Sequence, residues 1–229
     1  MILFIGQIAR GDREREAFQE VDYRAFFGSM TKWTAEIEDA ARVPEFVERA
    51  FHVAMQGRMG PVALALPEDM LADETDASIG ARFEPARVGF DPTVAARIEA
   101  LLAKAERPLL ILGGSGWDET STAQIARFIE RADLPTILSF RRKHLLNNDD
   151  PHYAGDLGLG PNPKLVARVR EADLIITIGA RLGENPTQGY TLFKRGETAK
   201  KHVHIYASAE EIGRVWPPLL GAVRACVRG

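Results

Sequence analysis

Short apolar runs that end at glycine or proline alternate along this sequence with apolar stripes of helical period, and that alternation restricts the fold more than any other feature. Ile2 to Ile5 is a continuous apolar run closed by Gly6, the pattern of a strand covered on both faces. From Val43 the apolar residues fall at Val43, Phe46, Val47, Ala50, Phe51 and Ala54, a helical stripe with Pro44 in its first turn and Gly57 at its stop. Pro61 to Leu66 reads as a second buried strand, ended by Pro67. Residues 68–90 start acidic, lose any apolar period and read as a linker.

A second unit opens at Asp91-Pro92, an N-cap followed by a proline suited to a first helical turn. Its first helix buries Val94, Ile98, Leu101, Leu102 and Ala105. Leu109 to Leu112 is a strand, and the turn Gly113-Gly114-Ser115-Gly116 leads into a helix with Ile125, Phe128, Ile129 and Ala132 on one face. Pro135 to Phe140 reads as a strand and residues 141–162 as a long loop. Leu165, Val166 and Val169 mark a helix; Leu174 to Ile178 and His202 to Tyr206 mark two further strands. Strand–helix–strand repetition implies parallel strands with crossover helices, hence a three-layer α/β fold with a doubly wound, Rossmann-like sheet in the second unit. The first unit offers only two strands and one helix by this reading. A parallel sheet that small cannot cover both its faces, so these elements either join the other sheet or belong to a domain with a further portion.

Composition narrows the function classes. With 229 residues, 45% of them hydrophobic and 27% charged, the chain is neither collagen-like nor disordered. Lys and Arg number 29 against 32 Asp and Glu, so no basic nucleic-acid groove is expected. The single cysteine, Cys226, excludes an internal disulfide and any cysteine-based zinc site, and fits a reducing compartment. No apolar run is long enough to span a bilayer, and Met1 to Ile5 lacks the basic flank of a signal peptide. The chain reads as soluble and cytoplasmic, with no nucleic-acid or membrane partner.

Several residues invite a chemical reading. Gly113, Gly114 and Gly116, with Gly179 after another strand, resemble turns that bring backbone N–H groups to a nucleotide phosphate. The third glycine of such a fingerprint is replaced by Glu119, whose charge repels phosphate, so a plain structural turn is the competing reading. His202 and His204 alternate on a strand and share a face, but no third ligand stands at a metal-binding spacing, which favours a structural role. No motif surrounds Cys226, which reads as buried filler.

The first segment holds an ordered series: Gly6-Gln7, Ala17-Phe18-Gln19-Glu20-Val21-Asp22, Thr31-Lys32-Trp33, Gly57-Arg58-Met59-Gly60-Pro61-Val62 and Leu66-Pro67-Glu68-Asp69. The second holds Leu134-Pro135, Ala172-Asp173-Leu174, Gly179-Ala180-Arg181 and Ala209-Glu210-Glu211-Ile212-Gly213-Arg214. In this order and spacing they resemble the thiamine diphosphate-dependent enzymes of the acetolactate synthase and benzaldehyde lyase type. The resemblance implies that residues 1–72 are the C-terminal half of a pyrimidine-binding domain, 73–90 a linker, and 91–229 the family's central domain. That domain is a six-stranded Rossmann-like module of the kind that binds NAD or FAD elsewhere.

The resemblance implies a lyase or transferase that makes or breaks a C–C bond beside a carbonyl, with thiamine diphosphate as electron sink and Mg2+ on its diphosphate. Its substrate would be a small carbonyl compound or 2-keto acid. Gln19 aligns with a family glutamine near the reacting carbonyl, and Phe18 with the apolar wall of the pocket. The family's activating glutamate would precede residue 1, and its Gly-Asp-Gly motif would follow residue 229. Gly155-Asp156 is followed by Leu157, and Asn147-Asn148 precede it, so this is not that motif. The chain alone is therefore expected to be inactive, and a homodimer, a homotetramer or association with the missing domains is expected. Glu68 and Asn185 stand where acetolactate synthases carry a lysine and an arginine, and Leu159-Gly160 where they carry a Met-His pair of the flavin loop. Acetolactate synthesis and FAD binding are accordingly not expected. The alternative class is a non-catalytic nucleotide-binding or scaffold module built on the Rossmann-like unit.

Overall fold

Every strand pairing is parallel, as strand–helix alternation requires. The computed structural model describes residues 1–84, 89, 91–194 and 196–224. It divides into two compact units, Met1–Arg87 and Val88–Gly229, each with its own sheet.

The first unit runs β1 (Ile2–Gln7), α1 (Tyr23–Phe27), β2 (Trp33–Glu36), α2 (Val43–Met55) and β3 (Val62–Pro67). The sheet order is β1-β3-β2. The central strand β3 is flanked on both sides, and its Val62, Ala63, Leu64 and Ala65 are fully buried. Helix α2 turns the small residues Ala50 and Ala54 to the core, and Phe46 stacks on Trp33 with centroids 5.7 Å apart. Two expectations change here. The opening run is an edge strand rather than one covered on both faces: β1 pairs only with β3, and Phe4 remains 51% exposed. The unit also has three strands rather than two, because Trp33–Glu36 forms β2. That strand is four residues long and half polar, too short for its period to stand out from a turn.

The second unit comprises α3 (Pro92–Leu102), β4 (Pro108–Leu112), α4 (Glu119–Ala132), β5 (Thr136–Ser139), β6 (Tyr153–Leu157), α5 (Pro163–Glu171), β7 (Leu174–Ile178), α6 (Thr198–Lys201), β8 (His202–Tyr206) and β9 (Leu220–Val223). The sheet order is β6-β5-β4-β7-β8-β9, the doubly wound arrangement the sequence pattern implies. Alternate strand residues face opposite layers. Leu109, Ile111, Ile137 and Ile175 pack with Leu165, Val166 and Val169 of α5. Leu110, Leu112, Leu138, Ile176 and Val203 pack with Val94 and Ile98 of α3 and Ile125 and Ile129 of α4. Each fully buried Leu or Ile contributes about 1.5–3 kcal/mol relative to exposure, so the two cores dominate the stability of this unit.

The stretch 141–162 is not one loop, since it contains β6. Tyr153-Ala154-Gly155-Asp156-Leu157 is half polar, and Gly155 has φ +123° with Leu165 so close that a Cβ would lie 3.1 Å from its Cδ2. A glycine of this kind interrupts the apolar signal while allowing α5 to lie directly on the strand. No described helix is long and apolar enough to cross a membrane. Cys226 falls outside the described residues.

Polar groups set the helix starts. Asp91 accepts from Thr93 N and Asn162 from Lys164 N; Asp118 accepts from Ser121 N at 2.8 Å while Ser121 Oγ accepts from Asp118 N at 2.9 Å, a reciprocal box. Asp118→Ala is expected to lower the stability of the second unit by about 1 kcal/mol. Urea titration followed by far-UV circular dichroism checks it.

Candidate functional site

The residues implied by resemblance, Phe18 and Gln19, lie on the connection that leaves the C-terminal end of β1. Its base is held by Gln7, which is buried: its Nε2 donates to Val21 O at 2.8 Å and its Oε1 accepts from Ile8 N at 3.0 Å. Arg10 ties together the segments that follow all three strands. Its N and Nε donate to Asp69 at 2.9 and 2.8 Å, its Nη2 to Asp73 at 2.8 Å and its Nη1 to Glu38 O at 2.7 Å. The hydrogen bond from Arg10 holds the Asp69 carboxyl below the ordinary carboxylate range. Arg13 pairs with the largely buried Glu36 at the end of β2.

Glu20 turns back on the loop, accepting from Glu14 N at 2.7 Å and Ala17 N at 3.3 Å. Asp22 caps α1 by accepting from Ala25 N at 3.0 Å. Glu14, Glu16 and Gln19 all take positive φ, a conformation such ties stabilise. Within the run Phe18 to Asp22, the acids thus organise backbone, while Phe18, 89% exposed, and Gln19 point outward. The concavity beside them is lined by Glu14, Glu16, Ala17, Glu20 and Asp22, and neither Phe18 nor Gln19 lines it. Sequence reading passed over Arg10 because a lone arginine in a loop has no periodic or motif signal.

Gly113, Gly114 and Gly179 meet at the point where the strand order reverses. A Cβ on Gly113 would lie 2.7 Å from the Cβ atoms of Ala180 and Ser139. Gly114 has φ +73°, and a Cβ there would overlap the carbonyl of Gly179. Gly113 N donates to Ile178 O at 3.1 Å and Gly179 N to Ile205 O at 2.9 Å, so both N–H groups already have partners. Trp117 Nε1 donates to Gly113 O at 2.8 Å, and Arg142 Nε donates to Gly114 O. Gly116, at φ +90°, lies in the same turn. These contacts account for Gly113 and Gly114 by close strand packing.

His202 and His204 face the same side of β8, with ring centroids 5.1 Å apart. His202 Nε2 pairs with Thr177 Oγ1 at 3.0 Å and His204 Nε2 with Ala180 O at 3.1 Å. Burial pushes the His202 imidazole down to about 3, and burial likewise lowers His204. Among the described residues no group of three or more His, Cys, Asp or Glu stands ready to hold a metal ion. Beside the two histidines the buried carboxylate of Glu211 lies 3.1 Å from Arg181 Nε and 3.8 Å from Arg214 Nε. Glu68 and Asn185 are both exposed; Glu68 N donates to Gln7 O at 2.9 Å, and Asn185 opens a short 3-10 turn.

The central-domain model of thiamine pyrophosphate enzymes matches residues 95–228, most of the doubly wound unit. The chain belongs to the thiamine pyrophosphate enzymes, of the acetolactate synthase type. It is 30% identical over 227 residues to glyoxylate carboligase of Escherichia coli, a match covering 97% of this chain and 38% of the relative. A probable acetolactate synthase large subunit of Methanococcus aeolicus is 26% identical over 240 residues, covering 100% of this chain and 39% of the relative. Acetolactate synthase of Bacillus subtilis is 26% identical over 183 residues, 78% of this chain and 32% of the relative. The chain thus spans two fifths or less of each of these relatives.

The described residues do not fit thiamine diphosphate with its cation. Asp156, in Gly155-Asp156-Leu157, lies within β6 and pairs with Lys143 at 2.9 Å. No acidic cluster stands ready for Mg2+ among the described residues.

The histidines give a pH prediction. His202 stays neutral in the fold well below the pH at which an unfolded histidine takes a proton, near 6.5. Unfolding therefore binds protons, and stability falls as pH drops from about 6.5 towards 3. Urea titrations are expected to show a loss of about 2 kcal/mol between pH 7 and 5, and a flatter profile for His202→Gln.

Proposed function

We propose that this chain supplies the central domain, and in Met1–Arg87 part of the pyrimidine-binding domain, of a thiamine diphosphate-dependent carboligase or decarboxylase. The reading rests on the central-domain match over residues 95–228, joined to a six-stranded sheet of doubly wound order. The cofactor and its Mg2+ are held by residues other than those described. When bound, thiamine diphosphate supplies a nucleophilic carbon for a carbonyl and an acceptor for the electron pair left behind.

The chain's own contribution is one wall of the reaction chamber. The Gln19 amide donates a hydrogen bond to negative charge developing on the substrate oxygen, and Phe18 keeps water from that side. Both are exposed on their own unit, which supports a site completed by another surface, in a homodimer, a homotetramer or an assembly with further domains. The exposed Phe4 on the open edge of β1 supports association as well. The substrate is a small carbonyl compound or 2-keto acid. Glu68 and Asn185 offer no cation for a second carboxylate or a flavin phosphate, so acetolactate is not assigned as product, nor FAD as cofactor. A single cysteine and the lack of a long apolar helix among the described residues support a place in the cytoplasm.

The chain alone is expected to show no tight, Mg2+-dependent thiamine diphosphate binding in equilibrium dialysis, and to elute as an oligomer in size-exclusion chromatography. Tight binding by the isolated chain would overturn the placement of the cofactor site. In the catalytically complete assembly, Gln19→Ala is expected to lower kcat about 100-fold with little change in KM, and an unchanged kcat removes Gln19 from the chemistry. A thermal shift with FAD, NAD or ADP in place of any thiamine diphosphate response would favour the nucleotide-binding scaffold instead.

A further inference from the structure

At the outer edge of the second sheet, away from the β4/β7 junction, lies a crevice of about 520 Å³. Its walls are β6, the glycine-rich connection that follows it, and α5. β6 is an end strand, paired with β5 alone, so backbone groups along its outer side are open. Gly158 leaves room for the Asp156 carboxylate, since a Cβ there would lie 2.9 Å from Asp156 Oδ2.

Three cations line this crevice, Lys143, Lys164 and Arg168, against the single carboxylate of Asp156. Lys143 is neutralised by Asp156 at 2.9 Å. Lys164 and Arg168 make no ion pair among the described residues. Arg170 on the same helix is used differently, donating to the carbonyls of Leu192 and Thr191.

The two unpaired cations are both exposed and stand four residues apart on α5, where like charges repel by a few tenths of a kcal/mol. Only Lys164, in the first turn, is also placed against its helix dipole, since Arg168 stands in the last turn, where positive charge is favoured. An anion in the crevice relieves both penalties at once. A side-chain arrangement that is unfavourable alone and favourable with a ligand is what a binding site leaves behind in a stable fold.

We propose that this crevice binds a dianionic phosphoryl group, as free phosphate or on a small phosphomonoester, held by Lys164 and Arg168. Lys143 and Asp156 bound the rest of the volume, and the Asp156 carboxylate accepts from a hydroxyl of an esterified ligand. The inference rests on the lining of the crevice alone and uses no step of the proposed carboligase chemistry.

Isothermal titration of the full chain with inorganic phosphate, glycerol 3-phosphate and succinate, at ionic strength fixed with sodium chloride, tests it. Saturable binding of the two phosphoryl compounds is expected, weakened about tenfold or more by Lys164→Gln and by Arg168→Gln. Tighter binding of glycerol 3-phosphate than of phosphate identifies the organic ester as the ligand, and equal binding identifies the ion. Equal binding of succinate overturns the phosphoryl assignment, and the absence of saturable binding, or affinity unchanged in both variants, overturns the site. A ligand-free measurement tests the energetic argument separately. Lys164→Glu is expected to raise Tm while abolishing the phosphate response, and a lowered or unchanged Tm contradicts the account of unfavourable charge.

Discussion

Main chain meets main chain where β4 and β7 lie side by side, and the architecture of the second unit depends on that approach. From this junction the sheet grows outwards through β5 and β6 on one side and β8 and β9 on the other. Crossovers of one hand laid in opposite directions place helices on opposite faces, which is why α5 and the pair α3 and α4 cover different cores. The junction closes because Gly113 and Gly114 present no Cβ to Ala180, Ser139 and the Gly179 carbonyl. Such a reversal is where open α/β sheets place ligands. Here the carbonyls of Gly113 and Gly114 are already met by Trp117 and Arg142. These bonds fix the turn, and close packing by itself requires glycine at 113 and 114.

Charge organises the strand ends of the first unit, above its apolar core. Arg10, itself beyond β1, donates from one planar fork to groups beyond β2 and β3, a geometry that a lysine could not reproduce. The carboxylates it meets are exposed enough to be screened, so its role is to fix geometry, with a small share in stability. With Gln7 and Glu20 it holds a segment in which three non-glycine residues have positive φ. A loop tied this firmly presents Phe18 and Gln19 in a defined orientation although neither side chain is packed. That is the requirement for a wall that another surface completes.

How much of this could be read in advance depended on whether a residue's role follows a period. The run Leu109–Leu112 is a strand with an apolar core on each face, and an unbroken apolar run says so; Leu174–Ile178 is broken only by the buried Thr177, which pairs with His202. β2 and β6 were missed for the opposite reason: Thr34, Glu36, Gly155 and Asp156 serve a turn, an ion pair, a close approach and a crevice, and each breaks the pattern. Ile2 to Ile5 misled in the other direction. Its apolar run reads as burial on both faces, yet Phe4 stays 51% exposed and β1 has a neighbour on one side only, which sequence period cannot count. The run Phe18 to Asp22 was legible only through its resemblance, because Glu20 and Asp22 act on backbone a few residues away while Phe18 and Gln19 are exposed on their own unit.

Charge shows most clearly why totals and places must be kept apart. The 29 cations and 32 anions of the sequence nearly cancel, which argues against a broad basic groove. Within a Debye length of about 8 Å at physiological salt, however, a ligand responds only to the charges next to it. Glu14, Glu16, Glu20 and Asp22 crowd one concavity in the first unit, and Lys143, Lys164 and Arg168 line another in the second. In the acidic concavity Glu20 and Asp22 have backbone donors to hold, so their charge has a structural reason. Lys164 and Arg168 have none among the described residues, and their own helix opposes the first of them. A charge with a structural partner explains itself, whereas one placed against its surroundings implies a partner of opposite sign.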